Sequence, residues 1–246
     1  NGQSNSDGGP PYQLIENSEP PLEIVSPMSR IVSFPVASKE YKTWKDMDGQ
    51  PITFHARGTG TEAIGNIIAK REGITFGDRS DVPGSENRII AMKNGQIKAT
   101  VVDLANKNLL MSKASDKFHV LPSLDEAASD ELVFASEGWL KDNREQANII
   151  VEELHKLWRE MKADPGVIEA ERAKRNLLSD QPKEVLDEVV PFYAEAVKEG
   201  VFAPLEDPAA VAKVDFSFYT EAGQLEGPAD SLKVEDFWDL GPLDAA

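Results

Sequence analysis

Along residues 52–121 the hydrophobic positions switch repeatedly between two spacings. Ile52, Phe54 and Ala56 alternate with polar residues, the period of a half-buried strand. In GTGTEAIGNIIAKREGI the spacing changes to Ala63, Ile64, Ile67 and Ile68, one face of a helix that ends near Gly73. Ile89, Ile90 and Met92 mark a second helix, closed by Asn94-Gly95, since both residues accept the left-handed conformation of a helix C-terminus. Ile97, Ala99 and Val101 alternate again, Leu104, Leu109, Leu110 and Met111 return to helix, and FHVL at 118–121 is a strand closed by Pro122. The order strand, helix, helix, strand, helix, strand predicts an α/β unit: a small parallel-rich sheet with covering helices.

The helix starts carry their own signals. Thr59 with Glu62 three residues later is a capping box, Ser85 is an N-cap, and Asp103 caps the helix that follows it. Upstream, residues 12–17 fit a short helix, 22–25 a short strand between prolines, and 31–36 a β-rich run cut by Pro35. Downstream, 131–135 is one more strand, after which the pattern turns helical. Ala147, Ile150, Val151, Leu154, Leu157, Trp158 and Met161 form a stripe, with His155 placed beside Glu152 and Arg159 on the polar face. Pro165 and Pro182 start further helices, with a break expected at Pro191. Phe216, Phe218, Tyr219, Phe237 and Trp238 anchor a wrap along the surface. Residues 1–11 read alone as a polar leader, yet Asn1-Gly2-Gln3 returns as Asn94-Gly95-Gln96. If that repeat is structural, residues 1–11 lie along a sheet edge near a cleft.

Charge and chemistry then narrow the function. With 43 acidic against 26 basic residues the net charge is −17, a field that repels nucleic acid and anionic membrane. No apolar run approaches the roughly 20 residues of a membrane-spanning helix. Cysteine is absent, which removes thiol nucleophiles and thiolate metal sites. The three histidines, His55, His119 and His155, lack metal-site spacing, no GxSxG elbow is present, and the sequence implies no cofactor. The segment with geometry suited to chemistry is Arg57-Gly58-Thr59-Gly60-Thr61, between a strand and a helix. Its free N–H groups face the edge of the sheet where α/β proteins bind ligands, although a plain N-cap without ligand fits the same residues.

Three stretches in this order, KDMDGQPITF, RGTGTEAIGNIIAKREGI and GSENRIIAMKNGQIKATVVDLANKNLLM, resemble the second lobe of ABC-transporter solute-binding proteins of the NMT1/THI5-like group. That group includes binders of sulfonates, nitrate and pyrimidine precursors, and DFSFYTEAGQLEG with DFWDL resembles its C-terminal end. The resemblance implies a two-lobed, type II periplasmic-binding-protein-like α/β fold. Residues 1–44 and 128–246 would form lobe one with C-terminal helices packed on it, and 45–127 lobe two. The strand, helix and strand with which the family begins are not found before the first NGQ, so the opening part of lobe one is expected to be absent from this sequence.

The resemblance further implies a non-catalytic monomer that closes on a small organic solute, a sulfonate, pyrimidine or similar, and hands it to a membrane permease. It also implies a periplasmic or other extracytoplasmic mature form whose signal peptide is outside this sequence. Ligand contacts carried over by topology are Thr59, Gly60 and Thr61 as backbone and hydroxyl donors, with Arg57, His55 and Asp103 nearby. From the other lobe come Gly9, Pro10, Tyr12 and Trp139, the last stacking on a planar ligand or packing in the core. Where the family has an acidic residue after Gly-Gln, this sequence has Lys98. The rival reading is an enzyme on the same fold, THI5-like or menaquinone-pathway-like, with His55 as its reactive group. A ligand-sensing module is a third, which no basic patch supports.

Overall fold

The computed structural model describes residues 18–125, 128–202 and 207–244, together with Tyr12, Ile15 and the backbone of Gln3–Ser4. Its strands are β1 (Gln3–Ser4), β2 (Leu22–Arg30), β3 (Ser33–Ser38), β4 (Ile52–Phe54), β5 (Arg79–Asp81), β6 (Ala99–Asp103), β7 (Phe118–Val120) and β8 (Ser129–Ser136). They form two sheets, ordered β1-β8-β2 and β5-β4-β6-β3-β7. In the second, β4 runs parallel to β5 and β6, and β3 runs antiparallel to both β6 and β7. The parallel-rich expectation therefore holds apart from β3.

Residues 33–38 were grouped by sequence with the first unit, but they hydrogen-bond into the second sheet. β2 runs directly into β3 through Ile31 and Val32. The chain returns between Val120 and Ser129, and the two crossings touch: Ile31 N donates to Ala128 O at 2.8 Å. The prolines misled the reading. Pro27 lies inside β2, an edge strand with register irregularities, where a missing N–H is tolerated. Pro35 lies inside β3 just before the residues that pair with β7, and there Leu121 N donates to the Pro35 carbonyl at 2.9 Å, so the ladder loses only the one bond that Pro35 cannot give.

The first sheet repeats part of the second. β1 and β2 both run antiparallel to β8, as β6 and β7 do to β3. Gln3 of the first NGQ lies in β1, on the sheet edge opposite Phe134. In the second copy Asn94 caps a helix, Gly95 takes φ 73°, and β6 follows. Asn1, Gly2 and residues 5–11 lie outside the described residues.

Helices α1 (Gly60–Glu72), α2 (Ser85–Lys93) and α3 (Leu104–Ala114) cover the second sheet; α1 buries the four residues that the period predicts, whereas Ile90 of α2 and Leu109 of α3 are exposed. Ile89, Met92 and Leu110 pack on Val36, Val102 and Phe118 as one cluster. α1 approaches β4 so closely that a Cβ added at Gly65 meets Phe54 Cζ at 2.4 Å. Gly65→Ala is therefore expected to destabilise the fold by about 1–3 kcal/mol despite its better helix propensity. Urea unfolding should show much of the loss recovered when Phe54→Leu is added. Two helix starts differ from expectation. The Thr59 hydroxyl turns back to Ala56 O instead of capping, and Glu62 accepts from Gly58 N, one residue before the N-cap, so the expected capping box does not form. Gly84 is the N-cap of α2, and Ser85 accepts from Arg88.

The remaining helices are α4 (Glu137–Asp142), α5 (Arg144–Ala163), α6 (Val167–Lys174), α7 (Lys183–Leu186), α8 (Val189–Lys198), α9 (Pro208–Glu221) and α10 (Gly241–Asp244). The break expected at Pro191 comes earlier, between α7 and α8, which leaves Pro191 in the first turn of α8, where its missing N–H costs nothing. α5 buries Ala147, Val151, Trp158 and Met161, while Ile150 is exposed. His155 is buried on the same stripe, contrary to its assignment to the polar face. Its Nε2 lies 3.0 Å from Ser26 Oγ, whose own proton goes to Pro27 O. Tyr12 is also a core residue, packed against Phe216, Tyr219 and Phe237. Phe237 and Asp239 hydrogen-bond to Ile24, so the aromatic wrap extends the first sheet beside β2.

Candidate functional site

The parallel strands β4, β5 and β6 all end at one edge of the second sheet, and α1, α2 and α3 begin there. A cavity of about 270 Å³ opens at this edge. Its second-sheet wall is His55 after β4, Thr59, Gly60 and Thr61 at the start of α1, Gly84, Ser85, Glu86 and Arg88 at the start of α2, and Asp103 at the end of β6. Ser33 lines it from the start of β3, and Asp130 and Glu131 from the start of β8 in the other sheet. A second chamber of about 390 Å³ shares Ser33, Asp103, Asp130 and Glu131 and continues past Val32, Leu104, Phe192, Val201 and Phe202.

The hydroxyls at the start of α1 form a chain. Thr59 Oγ1 donates to Ala56 O at 2.8 Å, so it accepts from Thr61 Oγ1 at 2.9 Å, which in turn accepts from the His55 N–H at 3.0 Å. Both hydroxyl protons are thus committed, and the pair offers lone pairs, where the sequence suggested donors. Gly84 N donates to His55 Nδ1 at 3.2 Å, which puts the ring proton on Nε2.

Arg88 is buried and serves the scaffold. Its Nη atoms donate to Val82 O, Ser85 Oγ and Val101 O at 2.9–3.0 Å. Burial lowers its pKa to about 10, against the pull of Asp103 and Glu86, and the guanidinium stays charged. Asp103 caps α3 by accepting from Asn106 N, as expected, and Glu131 accepts from Ser29 Oγ. Asp130 makes no hydrogen bond or ion pair within the described residues, and its Oδ1 lies 3.2 Å from where a Gly60 Cβ would stand. Burial, followed by repulsion from Glu131 and Asp103, raises its pKa to about 7.

Of the residues expected here, His55, Thr59, Gly60, Thr61 and Asp103 meet in the cavity. Arg57 is exposed outside it, because the turn that presents Thr59 and Thr61 inward points Arg57 to water. Tyr12 is held in the core by hydrogen bonds to Asp215 and Trp238, and Trp139 is half-buried against the core beyond the far end of β8. Gly9 and Pro10 lie outside the described residues. Sequence reading missed Asp130, Glu131 and Arg88. Among the described residues, no group of three or more His, Asp or Glu side chains is placed to hold a metal ion.

Solved structures share this architecture. The ligand-binding component of an ABC-type import system from Staphylococcus aureus, with zinc bound, matches at TM-score 0.67 and 13% identity, over 95% of this chain and 76% of that one. The two-lobed periplasmic-binding-protein fold is the fold of this chain. The alkanesulfonate-binding protein SsuA from Xanthomonas axonopodis pv. citri, bound to MOPS, matches this fold at TM-score 0.65 and 14% identity, over 96% and 80% of the chains. The periplasmic nitrate-binding protein NrtA from Synechocystis PCC 6803 matches at 0.60 and 12%, over 89% and 66%. No protein-family model and no curated protein matches the sequence. The likeness is one of fold, and zinc, MOPS and nitrate belong to those proteins.

Proposed function

We propose that the chain is the solute-binding component of an ABC-type uptake system. It works outside the cytoplasm as a monomer and delivers a small organic solute to a membrane permease without transforming it. The observation that supports this is the cleft itself: its walls come from both sheets, which are joined through crossings at Ile31-Val32 and between Val120 and Ser129. On this reading the lobes divide at those crossings, and a solute that touches both walls favours the closed arrangement. Sulfonates and pyrimidines are the classes that the resemblance implies.

A thermal-shift screen tests it. A solute that raises the melting temperature and is recovered unchanged supports binding, and turnover of that solute overturns it. Thr61→Ala removes a lone pair from the cleft and breaks the hydroxyl chain to Thr59. It is expected to weaken the binding of such a solute by about three- to tenfold, the worth of one hydrogen bond, while circular dichroism stays that of the parent. Unchanged affinity by calorimetry would place the solute elsewhere.

A further inference from the structure

Building on the solute-binding reading, we propose that this cleft selects a cationic solute, an amine or amidinium carried on an apolar body. Three separate features converge on it. The Thr59–Thr61 hydroxyl chain ends with both protons committed inside the protein, so it can only accept from a ligand. The junction of the two chambers is walled by Asp103, Asp130 and Glu131, and Asp130 there has no hydrogen-bond or ion-pair partner within the described residues. The larger chamber beyond it presents Phe192, Val201 and Phe202, which suit an apolar body.

The positive groups on the walls do not reverse this balance. Arg88 spends both Nη atoms on the scaffold, and its Nε is closed off from solvent. Arg30 lines the larger chamber alone. His55 brings one neutral donor. An ammonium group at the junction would take its protons to Asp130, Glu131 and the Thr61 lone pair, and would offset the burial, and after it the repulsion from Glu131 and Asp103, that hold the Asp130 carboxyl above its usual range. A sulfonate or nitrate placed there would meet carboxylates and lone pairs instead.

The test uses the whole protein at low salt and matched probes: 2-phenylethylamine, butylamine and agmatine, against 2-phenylethanesulfonate, butanesulfonate, nitrate and a neutral pyrimidine. Calorimetry should show binding of one or more of the amines and none of the anions. Asp130→Asn should weaken amine binding by about tenfold or more, a charge-assisted hydrogen bond's worth. Its unliganded melting temperature should equal or exceed the parent's, which separates lost recognition from lost fold. Binding of a sulfonate, nitrate or the pyrimidine without any amine overturns the cation assignment and leaves the solute-binding reading standing. Amine binding that survives Asp130→Asn undiminished also overturns it. If no probe binds, and a broad solute mixture fails to stabilise the protein as well, both readings fall.

Discussion

Asp215→Ala is expected to lower the free energy of unfolding by about 3–4 kcal/mol, among the largest single losses available in this chain. Asp215 is fully buried on α9, where Oδ2 accepts from Tyr12 OH at 2.8 Å and Oδ1 from Ser129 N at 2.7 Å. Tyr12 OH also accepts from Trp238 Nε1 at 3.1 Å, and Tyr219 OH donates to Ser129 O at 2.7 Å. One carboxyl thus ties together the segment before β2, the start of β8, α9 and the C-terminal wrap. Truncation to alanine leaves a buried O–H and a buried N–H without acceptors and opens a void beside Tyr12. Asp215→Asn keeps one acceptor oxygen and should lose about half as much. Denaturant unfolding measures both. If alanine costs no more than asparagine, the network is not what holds these segments.

The second large effect depends on pH. Burial, and secondarily Arg159, lowers the pKa of His155 from its ordinary 6.5 to about 4. The folded chain holds the ring neutral, with Nε2–H donating to Ser26 Oγ. Above pH 6.5 both folded and unfolded chains carry it neutral, and its contribution is complete. As pH falls from 6.5 towards 4 the unfolded chain takes up a proton that the folded chain refuses, so stability drops, by about 3 kcal/mol in all. His155→Gln can still donate to Ser26 but has nothing to titrate. The stability of the parent relative to this variant should therefore fall by about that amount between pH 7 and pH 4. A difference that stays flat across that range would contradict the buried neutral ring. The comparison has to be made between chains, because Asp130 and Asp215, raised to about 7 and about 6 chiefly by burial, act in the opposite direction. Each favours the folded state as pH falls through its folded pKa towards the ordinary 3.8.

The features legible in the sequence were those set by local chemistry. The strand–turn–helix from Ile52 to Gly73, the Asp103 cap and the α5 stripe are each fixed by residues close in the chain. For that reason the cavity wall contributed by Thr59, Gly60, Thr61 and Asp103 was also legible. His155 was misread although the signal was present: it stands four residues after Val151 and three before Trp158, on the buried line. Its polarity outweighed its position. Asp130 and Glu131 gave no such signal, since an acidic pair opening a strand reads as a solvated end. Only the pairing of β8 with β2 brings them to face α1. Arg88 reads as the polar side of α2 and is buried because Val82, just after β5, and Val101, within β6, offer it carbonyls. β5 is short and wholly exposed, with no apolar alternation to announce it.

The interleaving of the two sheets also sets an order of assembly during synthesis. Every strand of the five-stranded sheet lies between Ser33 and Val120, so that sheet can close as soon as β7 has emerged from the ribosome. The three-stranded sheet has to wait. Among the described residues, everything that β1 and β2 pair with, β8 first and then the C-terminal wrap, is made only after the whole second sheet, and these pairings reach far along the chain, as with Gln3 opposite Phe134. Contacts of such long range form slowly. Until then β2, an apolar strand carrying Ile24 and Val25, stands unpaired while its neighbour in sequence, β3, is already locked in place. The nascent chain is therefore most exposed to aggregation in the interval between the appearance of β7 and that of β8.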